Sequence, residues 1–161
     1  MGGNFRYNVN KGWTKPGGTK EDFTDEETYC HAVGAGDADF IVANDFVLTE
    51  FAYNEYFFDL SEILTHEQMK IYQPYFLYYD KSVLDEINNI DYTAKTMPII
   101  SLPNPSRPDL MEEPIPVMID ITSSEKISVL YPNSNESYAM GFIANGKNNK
   151  KALNFLKYLL Y

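Results

Sequence analysis

Residues able to do chemistry gather at three places in the chain: Cys30-His31, the run from Asp37-Ala38-Asp39 to Asn44-Asp45, and Asp120-Ile121-Thr122-Ser123-Ser124. A cysteine and a histidine can act as nucleophile and base. Adjacent helix positions, however, point about 100° apart and cannot hydrogen-bond productively. Cys30 is therefore read as a packed thiol beside a surface histidine. His66 stands in a capping turn with no second histidine at ligand spacing, so no zinc site is expected. The oxygens of Asp37, Asp39, Asn44 and Asp45 suit calcium, but no glycine-bearing twelve-residue loop follows them, and helix capping accounts for Asn44-Asp45. Ser123-Ser124 has no identifiable base and reads as a helix start. The chain contains no GxxxxGK[ST], GxGxxG or GxSxG, so nucleotide, dinucleotide and hydrolase chemistry lack their usual loops. The expectation is a protein that is not an enzyme and needs neither cofactor nor metal.

The elements that position these residues centre on Ala38–Leu64. Phe40-Ile41-Val42-Ala43 is a short apolar strand that stops at Asn44-Asp45. The helix that follows puts Val47, Leu48, Phe51 and Ala52 on one face, and Asp59-Leu60-Ser61 opens a second short helix. Thr65-His66-Glu67-Gln68 has capping-box spacing and predicts a helix to Tyr72, ended by Pro74. Tyr75–Tyr79 is β-prone, and Val83, Leu84 and Ile87 have helical spacing within 81–90. Six prolines between Met97 and Pro116 exclude a long helix or a central strand there, so 97–116 is expected to be a surface excursion. Val117–Ile121 is a second clear strand, with a short helix after the hydroxyls of Thr122, Ser123 and Ser124. Tyr138–Ala144 is a third strand, followed by a helix capped by Asn148 or Asn149, with Ala152, Phe155, Leu156 and Leu159 as its buried stripe. Residues 1–23 read as an irregular lead-in with weak alternation at Phe5, Tyr7 and Val9, a helix is expected from Thr24, and 24–161 reads as a single α/β domain.

Composition narrows the function classes. With 161 residues and a 44% apolar fraction, one packed core is expected. A net charge of −10 argues against a nucleic-acid partner, which would call for a basic footprint. All 23 acidic residues lie between Glu21 and Glu136, while Lys147, Lys150, Lys151 and Lys157 crowd the C-terminal end. The lone Cys30 excludes an internal disulfide. Aromatic residues concentrate at Tyr53, Tyr56, Phe57, Phe58, Tyr72, Tyr75, Phe76, Tyr78 and Tyr79, and a few of these tyrosines are expected at a surface able to bind.

GAGDADFIVAND followed by FFDLSEIL, PIPVMIDIT, and YAMGFIANGKNNKKALNFLKYLL together resemble extracellular solute-binding proteins of ABC transporters, which have the type 2 periplasmic-binding-protein fold. The resemblance covers 30–64 and 115–160. It implies a small mixed or parallel sheet flanked by helices, like one lobe of a protein that normally traps ligand between two lobes. It also implies an extracellular, cell-surface location through an anchor that this sequence does not contain.

In open α/β sheets ligands sit beyond the carboxyl ends of the strands. On that scaffold Asn44, Asp45, Asp120, Thr122 and Ser123, with Tyr53, are the expected ligand-binding residues. The expected ligand is a small molecule or carbohydrate, with a peptide also open and a transporter as possible partner. The alternative is a cell-surface structural or protein-interaction domain with a vestigial pocket, whose tyrosine-rich surface meets a protein partner.

Overall fold

A computed structural model describes residues 38–161. The lead-in over 1–23, the helix expected from Thr24 and the Cys30-His31 pair lie outside the described residues. The elements run β1 (Phe40–Asn44), α1 (Asp45–Ala52), α2 (Leu60–Ile63), α3 (His66–Tyr72), β2 (Phe76–Asp80), α4 (Lys81–Asn88), β3 (Pro114–Asp120), α5 (Glu125–Leu130), β4 (Tyr138–Phe142) and α6 (Asn149–Leu160), with 3-10 turns at Gln73–Tyr75 and Pro108–Leu110.

Local chemistry starts most of the helices. The Asn44 side chain accepts from Val47 N, Asp59 from Ser61 N, Asp80 from Ser82 N, Ser124 from Ile127 N and Asn148 from Lys151 N. Each satisfies one of the amides that a helix start leaves unpaired. Thr65 and Gln68 form the complete capping box anticipated from their spacing.

The four strands form one α/β sheet in the order β1-β4-β3-β2. All its ladders are antiparallel: Phe40 faces Phe142, Met118 faces Gly141, and Asp80 faces Pro114. This corrects the expectation of a mixed or parallel sheet. A parallel pair needs a crossover that returns the chain to the opposite end of the sheet, whereas here the two excursions close on themselves. The excursion after β2 is held at its start, where Lys81 N donates to Glu113 O at 2.8 Å and the Asp80 carboxylate accepts from Glu112 N and Glu113 N. The excursion after β3 is held where Ile121 N donates to Tyr138 O and Tyr138 N donates to the Thr122 hydroxyl.

Pro114 and Pro116 belong to β3, an interior strand, which corrects the extent of the proline-rich excursion. The pairing of β3 with β4 spans only Met118–Asp120, so both prolines fall where β3 has β2 alone beside it. Pro116 sits at a register shift opposite Tyr78, a site that tolerates the missing N–H. Beyond that pairing, Phe58 N donates to Phe142 O and Ala144 N to Tyr56 O, so Tyr56–Phe58 continues the pairing of β4.

Helices cover both faces of the sheet. On one, Leu48, Phe51 and Ala52 of α1 pack with Ile41, Val117, Met118 and Ala139. On the other, α2, α3, α5 and α6 supply Leu60, Tyr72, Ile127 and Leu156 against Ile119, Met140 and Phe142. Every residue of β4 is buried, as a strand covered on both faces requires. Phe155, expected in the core, is only half-buried. It stacks on Phe40 with ring centroids 4.7 Å apart, while Ala152, Leu156 and Leu159 carry the buried stripe.

Candidate functional site

Antiparallel order puts the carboxyl ends of β1 and β3 on either side of the start of β4, because Asn44 pairs with Tyr138 and Asp120 with Ala139. Asn44, Asp45, Asp120, Thr122 and Ser123 are thereby brought to one end of the sheet. Much of their hydrogen-bonding capacity serves the fold. Asn44 Oδ1 caps α1, and its Nδ2 reaches Glu136 Oε2 at 3.5 Å. Asp120 Oδ1 accepts from Thr122 N at 2.8 Å. The Thr122 hydroxyl bonds both backbone groups of Tyr138, while Ser123 is exposed.

Asp45 is half-buried at the centre of this end. Burial pushes its carboxyl above the ordinary range; the Phe46 N–H opposes that, and the Asp120 and Glu136 carboxylates add to it. Like charges converge here because three separate segments end together.

The loop from α5 to β4 supplies what sequence reasoning missed. Tyr131 stacks on Tyr138 with centroids 4.5 Å apart and planes 14° from parallel, and Tyr138 Oη and Ser134 Oγ lie 3.0 Å apart. Tyr131 remains 42% exposed, so the pair offers an aromatic face beside the carboxylates. Turn chemistry at Tyr131-Pro132-Asn133 signalled the loop, but nothing local signalled that it folds back on Tyr138.

Tyr53 stands apart. It is buried at the far end of α1, where its hydroxyl accepts from Asp80 N at 2.9 Å and burial raises its pKa to about 12. Of the tyrosines from 53 to 79, Tyr53 and Tyr72 are buried and Tyr56, Tyr75, Tyr78 and Tyr79 are half-buried. Among the described residues the exposed tyrosines are Tyr92, Tyr131, Tyr158 and Tyr161.

Two grooves flank α3. One, of about 330 Å³, is lined by residues including His66, Met69, Lys70, Phe76 and Pro116. The other, of about 430 Å³, lies between α3 and α6 and is lined by Gln68, Ile71, Tyr72, Lys157 and Tyr161. Among the described residues no group of three or more His, Cys, Asp and Glu side chains is arranged to hold a metal ion. None of their helices is long and apolar enough to cross a membrane.

No protein family, curated protein or solved structure matches the chain.

Proposed function

We propose that the chain is a non-catalytic binding module working outside the cell, on a surface anchor, and that its ligand is a hydroxyl-rich small molecule or carbohydrate met at the end of the sheet. The observation that carries this reading is the convergence of Asn44, Asp45, Asp120, Thr122 and Ser123 around the start of β4, with Glu136 beside them. Carboxylates accept from sugar hydroxyls, the Asn44 amide donates, and the Tyr131 face suits the apolar side of a sugar ring. A net charge of −10 keeps nucleic acid off the list of proposed ligands. Descent from solute-binding proteins is the finer part of the proposal. It is supported by the repeated strand-then-helix order and not by the sheet's strand directions. Thermal melts with sugars, oligosaccharides, peptides and amino acids test the binding reading, since a ligand at 100 times its Kd adds about 2.7 kcal/mol. Absence of any shift at millimolar concentration counts against it.

A second reading, a cell-surface domain that meets a protein partner, is favoured by the internal use of polar atoms at the sheet end. It is also favoured by the exposure of Ile71, Tyr158 and Tyr161 on α3 and the C-terminal end of the chain. Size-exclusion chromatography with light scattering checks the self-associating form of that reading. A dimer dispersed by Tyr158→Ala supports it, and a strict monomer leaves only a foreign partner.

A further inference from the structure

We infer that the face built on α3 and the end of α6 takes an acidic peptide segment bearing an apolar side chain, presented by a partner protein. The inference rests on the partner-binding reading above and names the chemistry of that partner. Its starting point is the distribution of cations in a chain with 13 basic and 23 acidic residues. Lys81 and Arg107 are each ion-paired at 2.7 Å, with Asp85 and Asp109 respectively, and Lys126 sits over the Tyr158 ring. Lys70, Lys95, Lys147, Lys150, Lys151 and Lys157 have no ion pair among the described residues. Of these, Lys70 and Lys157 each line one of the two grooves that flank α3, and neither groove has an Asp or Glu side chain in its lining. In an acid-rich protein these are grooves where an incoming carboxylate meets a lysine with no acidic side chain in the lining.

The apolar part of the surface has the same location. His66, Met69, Lys70 and Gln73 line one groove and Gln68, Ile71 and Tyr72 the other, so the grooves lie on opposite sides of one helix. Ile71 is 53% exposed, and Tyr161, across the second groove, is 70% exposed. A tyrosine and an aliphatic side chain bordered by lysines have the makeup of an interface centre with a charged rim. Two open grooves separated by a helix suit an extended chain laid across it better than one small molecule, which needs a cavity that encloses most of its surface.

The test uses the isotope-labelled chain and three defined probes: a copolymer of glutamate and tyrosine, polyglutamate, and a copolymer of lysine and tyrosine. The expected result is perturbation of α3 and α6 amides by the Glu–Tyr copolymer, weakened by added salt, with polyglutamate binding less tightly. Lys70→Glu combined with Lys157→Glu is expected to weaken that binding by about tenfold or more. Both lysines are exposed but stand in the last turns of α3 and α6, where a cation is favourable, so the double reversal is expected to lower the melting temperature by only a few degrees. Lys150→Glu, at the other end of α6, serves as the control and is expected to leave affinity within about twofold. Equal binding by the doubly reversed chain overturns the inference. Perturbation of the same amides by the Lys–Tyr copolymer instead overturns the acidic chemistry and leaves the partner-binding reading standing. No perturbation by any of the three probes overturns both.

Discussion

The Tyr53 hydroxyl accepts the backbone N–H of Asp80 at 2.9 Å, inside the protein and across 27 residues of chain. This bond ties the end of α1 to the corner where β2 turns into α4. Tyr53→Phe keeps the ring, and with it the edge-on packing against Tyr79 at 5.5 Å, but removes the acceptor. Leaving a buried donor unpaired costs about 1–3 kcal/mol. Urea midpoints of the two proteins measure it, and equal midpoints would show that water replaces the hydroxyl.

Asp80 gives the same corner a pH dependence. Burial, the largest single influence, disfavours its charge, but the N–H groups of Glu112 and Glu113 and the Ser82 hydroxyl and N–H together outweigh it and hold the carboxyl below its ordinary value of 3.8. A carboxyl depressed by folding stabilises the protein fully above its unfolded value, and that contribution disappears as pH falls through the lower folded value. Asp80→Asn should therefore be less stable than the parent at pH 7, with the gap closing below about pH 4. Thermal melts of both proteins between pH 2 and 7 check this.

Asp45 has the opposite sign. Its carboxyl is raised in the folded protein, so its charged form opposes folding, and stability is lost as pH rises through the raised value. Asp45→Asn should raise the melting temperature at pH 7 and change it little near pH 3. A variant less stable than the parent at pH 7 would mean that the favourable position of Asp45 in the first turn of α1 outweighs its burial beside Asp120 and Glu136.

Gly141 makes room for an aromatic ring. A Cβ at this position would lie 2.6 Å from the Phe57 ring, which packs against β4 where Phe57 bridges to Ile143. Gly141→Ala should cost about 1–3 kcal/mol through overpacking. Phe57→Leu in the same chain should recover part of that loss, and a double-mutant cycle on the two residues reads the coupling directly. Additive effects would show that the ring moves aside without cost.

The last helix tests the packing of the second face. Leu156 is fully buried, so Leu156→Ala should cost about 2–5 kcal/mol. Phe155→Ala should cost less than that, since its ring is only half-buried and its main partner is Phe40. Lys151→Ala, on the solvent side, should fall within about 0.5 kcal/mol of the parent. Chemical denaturation of the three variants ranks them, and a Leu156→Ala midpoint equal to that of Lys151→Ala would mean that α6 does not stay docked on the sheet.

Features held within a few residues of chain were readable from sequence. Asn44, Asp59, Thr65, Ser124 and Asn148 cap helices because each side chain reaches an amide two or three positions on, and that reach depends only on residue type and spacing. The apolar runs of β1, β3 and β4 were equally plain, as was the polar character of their ends. Strand direction was not, because it depends on bonds spanning much longer stretches: Asp80 to Glu112 and Glu113 across 32 and 33 residues, and Thr122 to Tyr138 across 16. Two of the departures from expectation, Pro116 inside an interior strand and the stacking of Tyr131 on Tyr138, likewise depend on which segments lie alongside. Residue type and spacing therefore placed polar groups at the ends of β1 and β3. Only the closing of two excursions on themselves made those ends neighbours, and so brought Asp45, Asp120 and Glu136 close enough to act on one another.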